Sequence, residues 1–110
     1  METIKNMYFS KTIKAMHHNR IRKQLESGNK KMKKDLHPII MRKTGDNLFQ
    51  FIELNDYYDL FEVSDAYILI GAVKSYEEFG EFVELIVNEC LGKNIPIEKG
   101  AILEYLRERI

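Results

Sequence analysis

The densest concentration of one chemistry in this chain is cationic. Lys30, Lys31, Lys33 and Lys34 surround Met32, and Arg20, Arg22, Lys23, Arg42 and Lys43 flank that cluster on both sides. Lysine and arginine grouped in this way neutralise phosphates and release condensed counterions, so binding depends steeply on salt and little on base sequence. These residues form the candidate polyanion-binding surface. Tyr8 and Phe9 stand upstream as candidate stacking platforms for an unpaired strand. The same surface would dock an acidic protein, including the acidic half of a second copy. The chain holds no glycine-rich phosphate loop, zinc-finger spacing or basic heptad.

The other reactive side chains assemble less. His17 and His18 are adjacent, and on a helix they point about 100° apart, so they do not face one site together. His17 is expected at the edge of an apolar face, His18 in solvent, and His37 in a turn before Pro38. No spacing suited to a metal is present. Cys90 falls on the apolar face of its helix and reads as a buried structural thiol. Glu53, Asp59 and Glu62 lie in segments rich in strand-forming residues. Asp59 is expected near an edge or paired with a base, because an unpaired buried carboxylate is costly. The sequence assigns no catalytic residue, metal ligand or cofactor.

Net charge says nothing of this. The 110 residues carry 17 Lys and Arg against 17 Asp and Glu. Residues 1–43 nevertheless hold twelve bases and three acids, a net of +9, while residues 44–110 hold five bases and fourteen acids, a net of −9. Such asymmetry points to a polyanion or an acidic partner, or to two halves that neutralise each other within one fold or between copies. With 45% apolar and 31% charged residues, composition fits one globular domain spanning residues 1–110. No apolar run approaches the roughly 18 residues of a membrane span, and no signal-peptide core follows Met1. A cytoplasmic protein is the expectation, and the single cysteine agrees with it.

The elements that must carry these residues read as β–α–(α)–β–β–β–β–α–α, an α+β domain. Residues 4–9 suggest a short strand. Ser10 then reads as the cap of a basic helix over 11–27, with Ile13, Met16, Ile21 and Leu25 inward and Gly28 ending it. Residues 38–43, 48–54, 57–63 and 67–74 are rich in aromatic and β-branched side chains and predict four strands, joined by short turns into an antiparallel meander. The last of these, apolar on both faces, should be the most buried. Ser75-x-x-Glu78 is a capping box opening a helix to Gly92 that covers the sheet, and Pro96 opens a final helix to Ile110.

The order of elements resembles the RelE/ParE/HigB superfamily of small toxin ribonucleases and gyrase poisons. Tyr8-Phe9-Ser10-Lys11 leads into a basic helix, followed by Leu48 to Ile52, Tyr58 to Val63 and Tyr67 to Lys74 before a C-terminal helix. The ribonuclease branch usually carries an arginine near the position of Asp59, which here is acidic, so no catalytic residue of that family transfers. Together these readings predict a non-enzymatic binding or regulatory protein, in keeping with a modulator or inhibitor from a mobile element, that contacts nucleic acid or an acidic protein through its basic N-terminal region. The alternatives are a ribonuclease of the resembling kind and a homo-oligomer whose basic and acidic halves interlock.

Overall fold

The computed structural model describes residues 1–28, 35–61 and 64–109. In chain order the elements are β1 (Glu2–Phe9), a 3-10 turn (Ala15–His17), α1 (His18–Ser27), β2 (His37–Arg42), β3 (Gln50–Phe51), α2 (Leu54–Phe61), a second 3-10 turn (Ser64–Ala66), β4 (Tyr67–Val73), α3 (Tyr76–Gly92) and α4 (Lys99–Glu108). The architecture is α+β, with a mostly antiparallel four-stranded sheet and two C-terminal helices.

The sheet is not a meander. Its order is β1-β4-β2-β3, with β1 parallel to β4 and β2 antiparallel to both β4 and β3. The doubly apolar β4 lies between β1 and β2, where both faces can be covered. Ile68, Ile70 and Val73 pack with Phe82, Ile86 and Cys90 of α3 and Ile102, Leu103 and Leu106 of α4. Leu69 and Ala72 meet Ile21 and Leu25 of α1 and Leu54, Tyr57 and Tyr58 of α2 on the other face. The sheet is thus the middle of three layers. Each large aliphatic or aromatic side chain buried in them stabilises the fold by about 1.5–3 kcal/mol relative to exposure.

Two predicted strands change. Residues 57–63 read as a strand because tyrosine and phenylalanine favour extended backbone, but 54–61 form α2. Leu54, Tyr57 and Tyr58 recur at the helical spacing of three and four and are buried, while Asn55, Asp56 and Asp59 are exposed. Burial along that stripe overrides local β propensity. Tyr57 also donates from its hydroxyl to Leu25 O at 2.6 Å, a last-turn carbonyl of α1 that Gly28 N–H reaches at 3.3 Å. The strand expected over 48–54 contracts to Gln50–Phe51, which pairs with Ile39 and Ile40 of β2.

The N-terminal helix begins later than its periodicity suggests. Ser10 is buried and does not cap a helix; its carbonyl accepts from Ile13 N–H in a turn. Met16, expected inward, is 79% exposed, because the 3-10 turn rotates it out of phase with Ile21 and Leu25. Gly28 ends α1 in the left-handed conformation at φ 69°, as its position predicts. Ser75 Oγ accepts from Glu78 N–H at α3, while Glu78's own carboxylate reaches Lys74 N–H instead of closing the box on Ser75. The final helix starts at Lys99 after an extended Glu98, not at Pro96.

The β1–β4 seam positions the segments that follow both strands. Glu2 and Thr3 pair with Ile68 and Leu69, and Tyr8 and Phe9 with Gly71 and Ala72. Between these points four residues of β1, 4–7, span the distance that one residue, Ile70, spans on β4. Such a bulge removes carbonyls from the ladder. Arg22 supplies their partner, donating from Nη1 to Lys5 O at 2.7 Å and from Nη2 to Ile4 O at 3.1 Å. Gly71 lies so close to Tyr8 that a Cβ added there would stand 2.5 Å from Tyr8 O.

Candidate anion-binding cleft

The structure divides the predicted basic surface. Lys30, Lys31, Lys33 and Lys34 lie outside the described residues. Arg42 ends β2 opposite Tyr67, while His37 at the other end of that strand faces Val73, so Arg42 and Lys43 sit about 20 Å along the sheet from Lys74. Lys43 is bound to Glu2 at 3.3 Å. Arg22 serves the bulge and pairs with Glu26 at 2.7 Å. Arg20 and Lys23 are exposed and carry no ion pair among the described residues.

What the fold does bring together is a cleft of about 260 Å³ lined by Thr12, Ile13, Lys14, His17, Arg20, Ile21, Gln24, Asp35, Leu36 and Lys74. It opens beside the carboxyl ends of the parallel strands β1 and β4. Its floor includes Ile13, Ile21 and Leu36, all buried. Among the described residues three cations reach it from three segments: Lys14 from the loop after β1, Arg20 from α1, and Lys74 from the end of β4. Asp35 is the carboxylate among the lining residues. The side chains of Lys14 and Arg20 are exposed and carry no salt bridge or hydrogen bond among the described residues. Lys14 and Lys74 fall outside the basic set that the sequence singles out. The signal for Lys74 is its place at the carboxyl end of the most apolar strand; Lys14 has no comparable signal.

The wall carrying Lys14 and Lys74 is held from behind. Thr12 Oγ1 donates to Glu78 Oε2 at 2.6 Å and shares a 3.3 Å contact with Ser10 Oγ, while Lys74 N–H donates to Glu78 Oε1 at 2.8 Å. Burial works to raise the Glu78 carboxyl, but the hydrogen bonds from Thr12 and Lys74 N–H, with the Lys74 charge, hold it below its ordinary value. One carboxylate therefore fixes the loop after β1, the end of β4 and the start of α3 together.

The aromatic and histidine expectations are corrected. Tyr8 packs on Phe82 with centroids 4.8 Å apart, and Phe9 stacks on His18 at 4.1 Å, so each half-buried ring is partly engaged within the fold. His18 is half-buried, not solvated, and its Nε2–H donates to Ile13 O at 2.9 Å. His37 is the first residue of β2 and not a turn residue. It stacks on Phe51 at 4.5 Å and stands 3.8 Å from Glu53. Asp59 is exposed and without an ion pair among the described residues. Cys90 is fully buried, and burial, with the Glu89 charge, raises its thiol above the ordinary value.

A second polar hollow, of about 460 Å³, is lined by Glu89, Lys93, Tyr105, Glu108 and Arg109. Glu89 is saturated there: Tyr105 O–H donates to it at 2.6 Å, and Arg109 forks onto both oxygens at 3.0 and 3.1 Å. Burial raises this carboxyl, but Arg109 and Tyr105 outweigh burial and keep it below the usual range. These groups lock α3 to α4.

Comparison with family models, with curated proteins and with solved structures finds no match. No helix among the described residues is long and apolar enough to cross a membrane.

Proposed function

We propose that this chain is a binding or regulatory protein that contacts nucleic acid through phosphate groups, using the basic surface around the cleft. The observation that carries this reading is the convergence of Lys14, Arg20 and Lys74 on one concavity, where Asp35 is the one carboxylate among the described lining residues. Like charges brought together repel, and an arriving anion relieves that repulsion. The location adds support by analogy with open α/β sheets, where ligands bind outside the carboxyl ends of parallel strands. Tyr8 and Phe9 are half-buried and packed on Phe82 and His18, which favours contact with the backbone over base stacking.

A salt titration against single- and double-stranded oligonucleotides tests the proposal. Affinity should fall linearly on a log–log plot, and K14E, R20E and K74E should each weaken it. Absence of binding at low salt defeats the reading. Binding that survives these changes but is lost on replacing Lys30, Lys31, Lys33 and Lys34 with Glu moves the site to that cluster. Capture of an acidic protein without any nucleic-acid affinity identifies the other class of partner.

One observation favours a second reading, in which copies associate. Among the described residues the only ion pair joining a base of residues 1–43 to an acid of residues 44–110 is His37–Glu53. The basic α1 and the acidic outer face of α3 lie on opposite sides of the sheet, so pairing between copies would run head to tail. Sedimentation at low and high salt reads this directly, since such an assembly dissociates as its charges are screened.

A further inference from the structure

We propose that the cleft is a pocket for a terminal phosphomonoester carried on an organic body, the 5′-phosphate of a nucleotide, free or at the end of a strand. The inference rests on the reading of this surface as anion-binding and narrows it from a polyanion track to one phosphate. Three features support the narrowing.

Charge comes first. Among the described lining residues, Lys14, Arg20 and Lys74 against Asp35 leave a net of +2, counting histidine as neutral. A phosphomonoester near neutral pH carries about −1.5 to −2, whereas a backbone diester carries a single negative charge. The monoester balances the net charge of these described residues; a diester leaves about +1 among them.

Shape comes second. The cations approach from three segments of chain around a hollow of about 260 Å³ instead of lining up along a helix or strand. A continuous backbone needs a track along which it can enter and leave, while converging donors suit a group with a free end. That volume is just below the usual range for small-molecule pockets, roughly 300–1,000 Å³, and fits part of a mononucleotide better than a larger ligand.

The third feature is the floor. Ile13, Ile21 and Leu36 present apolar surface, and Gln24 contributes an amide that can both donate and accept. Inorganic phosphate would leave both unused. A sugar and base attached to the phosphate would cover the one and hydrogen-bond the other.

The test is titration calorimetry of the full chain with adenosine 5′-monophosphate, adenosine and inorganic phosphate, alongside a short RNA bearing either a 5′-phosphate or a 5′-hydroxyl. The monophosphate should bind about tenfold or more tightly than adenosine, since a charge-assisted contact is worth that factor, and more tightly than inorganic phosphate, which leaves the apolar floor and Gln24 unused. K14A and R20A should abolish the difference, while R42A, at the far end of the sheet, leaves it intact. Circular dichroism of each variant confirms folding. A preference of the RNA for its 5′-phosphorylated form assigns the site to strand ends, and binding of the mononucleotide without that preference assigns it to free nucleotide; both uphold the pocket. Equal, salt-sensitive binding of the two RNAs, with no affinity for the monophosphate, overturns the pocket while leaving the basic surface as a nucleic-acid contact. No binding of any probe overturns both.

Discussion

The two ends of the β1–β4 seam use the same kinds of side chain to opposite effect. At the amino end, Glu2 is gripped by Arg107 at 2.8 and 2.9 Å and by Lys43 at 3.3 Å, tying β1, β2 and α4 together. At the carboxyl end, Lys14 and Arg20 surround a hollow without taking a partner among the described residues. The same contrast recurs within one turn of α1, where Arg22 is consumed by Ile4 O, Lys5 O and Glu26 while Arg20, two positions earlier, faces the cleft. A cation's partners, more than its presence, separate scaffold from surface available for binding.

That contrast breaks most completely at Gly71, because both ends hang from the seam it permits. G71A puts a methyl group against Tyr8 O and should destabilise the protein by about 3 kcal/mol, read as a lower urea midpoint with little change in slope. Stability equal to wild type would show that the strands can separate without loss.

Next in size is the pair of arginines. R22A should cost about 2 kcal/mol, since two bulge carbonyls lose a charged donor, whereas R20A should stay within about 0.5 kcal/mol of wild type. Equal effects on thermal unfolding would erase the distinction between them.

For binding, each of K14A, R20A and K74A should lower the log–log salt slope by about 1, while K43A, already committed to Glu2, should change it little. A slope unchanged in all four places the contact elsewhere.

The smallest effect is expected with acid. Glu2 is held below the ordinary 4.5 chiefly by its hydrogen bond from Arg107, and Glu89 by Arg109 and Tyr105 despite burial. A depressed folded value means stability that is fully present above the unfolded value and lost as pH falls through the folded one. Each partly exposed pair contributes about 0.2–1 kcal/mol. E89Q should therefore flatten the decline of melting temperature below pH 4.5, and an unaltered decline would assign acid sensitivity to other carboxylates.

Much of the fold was legible because one-dimensional spacing mirrors burial where an element has one dominant face. The cap at Ser75, the end of α3 at Gly92, the left-handed Gly28 and the doubly apolar β4 all follow from local chemistry. Tyr57 and Tyr58 misled for a related reason: aromatic content suggested a strand, and only the position of Leu54 on the same stripe marks a helix. Of the candidate site, Arg20 was legible as a cation, but its neighbours were not. Lys14 and Lys74 are 60 positions apart in sequence and meet because β1 pairs in parallel with β4.

The amino-acid sequence by itself determined an α+β domain, its most buried strand, its principal helix and a division of charge into +9 and −9 halves. Each of these depends on residue type and on neighbours within a few turns of chain. Tertiary structure decided the strand order, which rings and cations are spent on packing, and which three bases share one cleft. Those outcomes depend on contacts between segments far apart in sequence, where the carbonyls of the β1 bulge take Arg22 and leave Arg20, two positions earlier, facing the cleft.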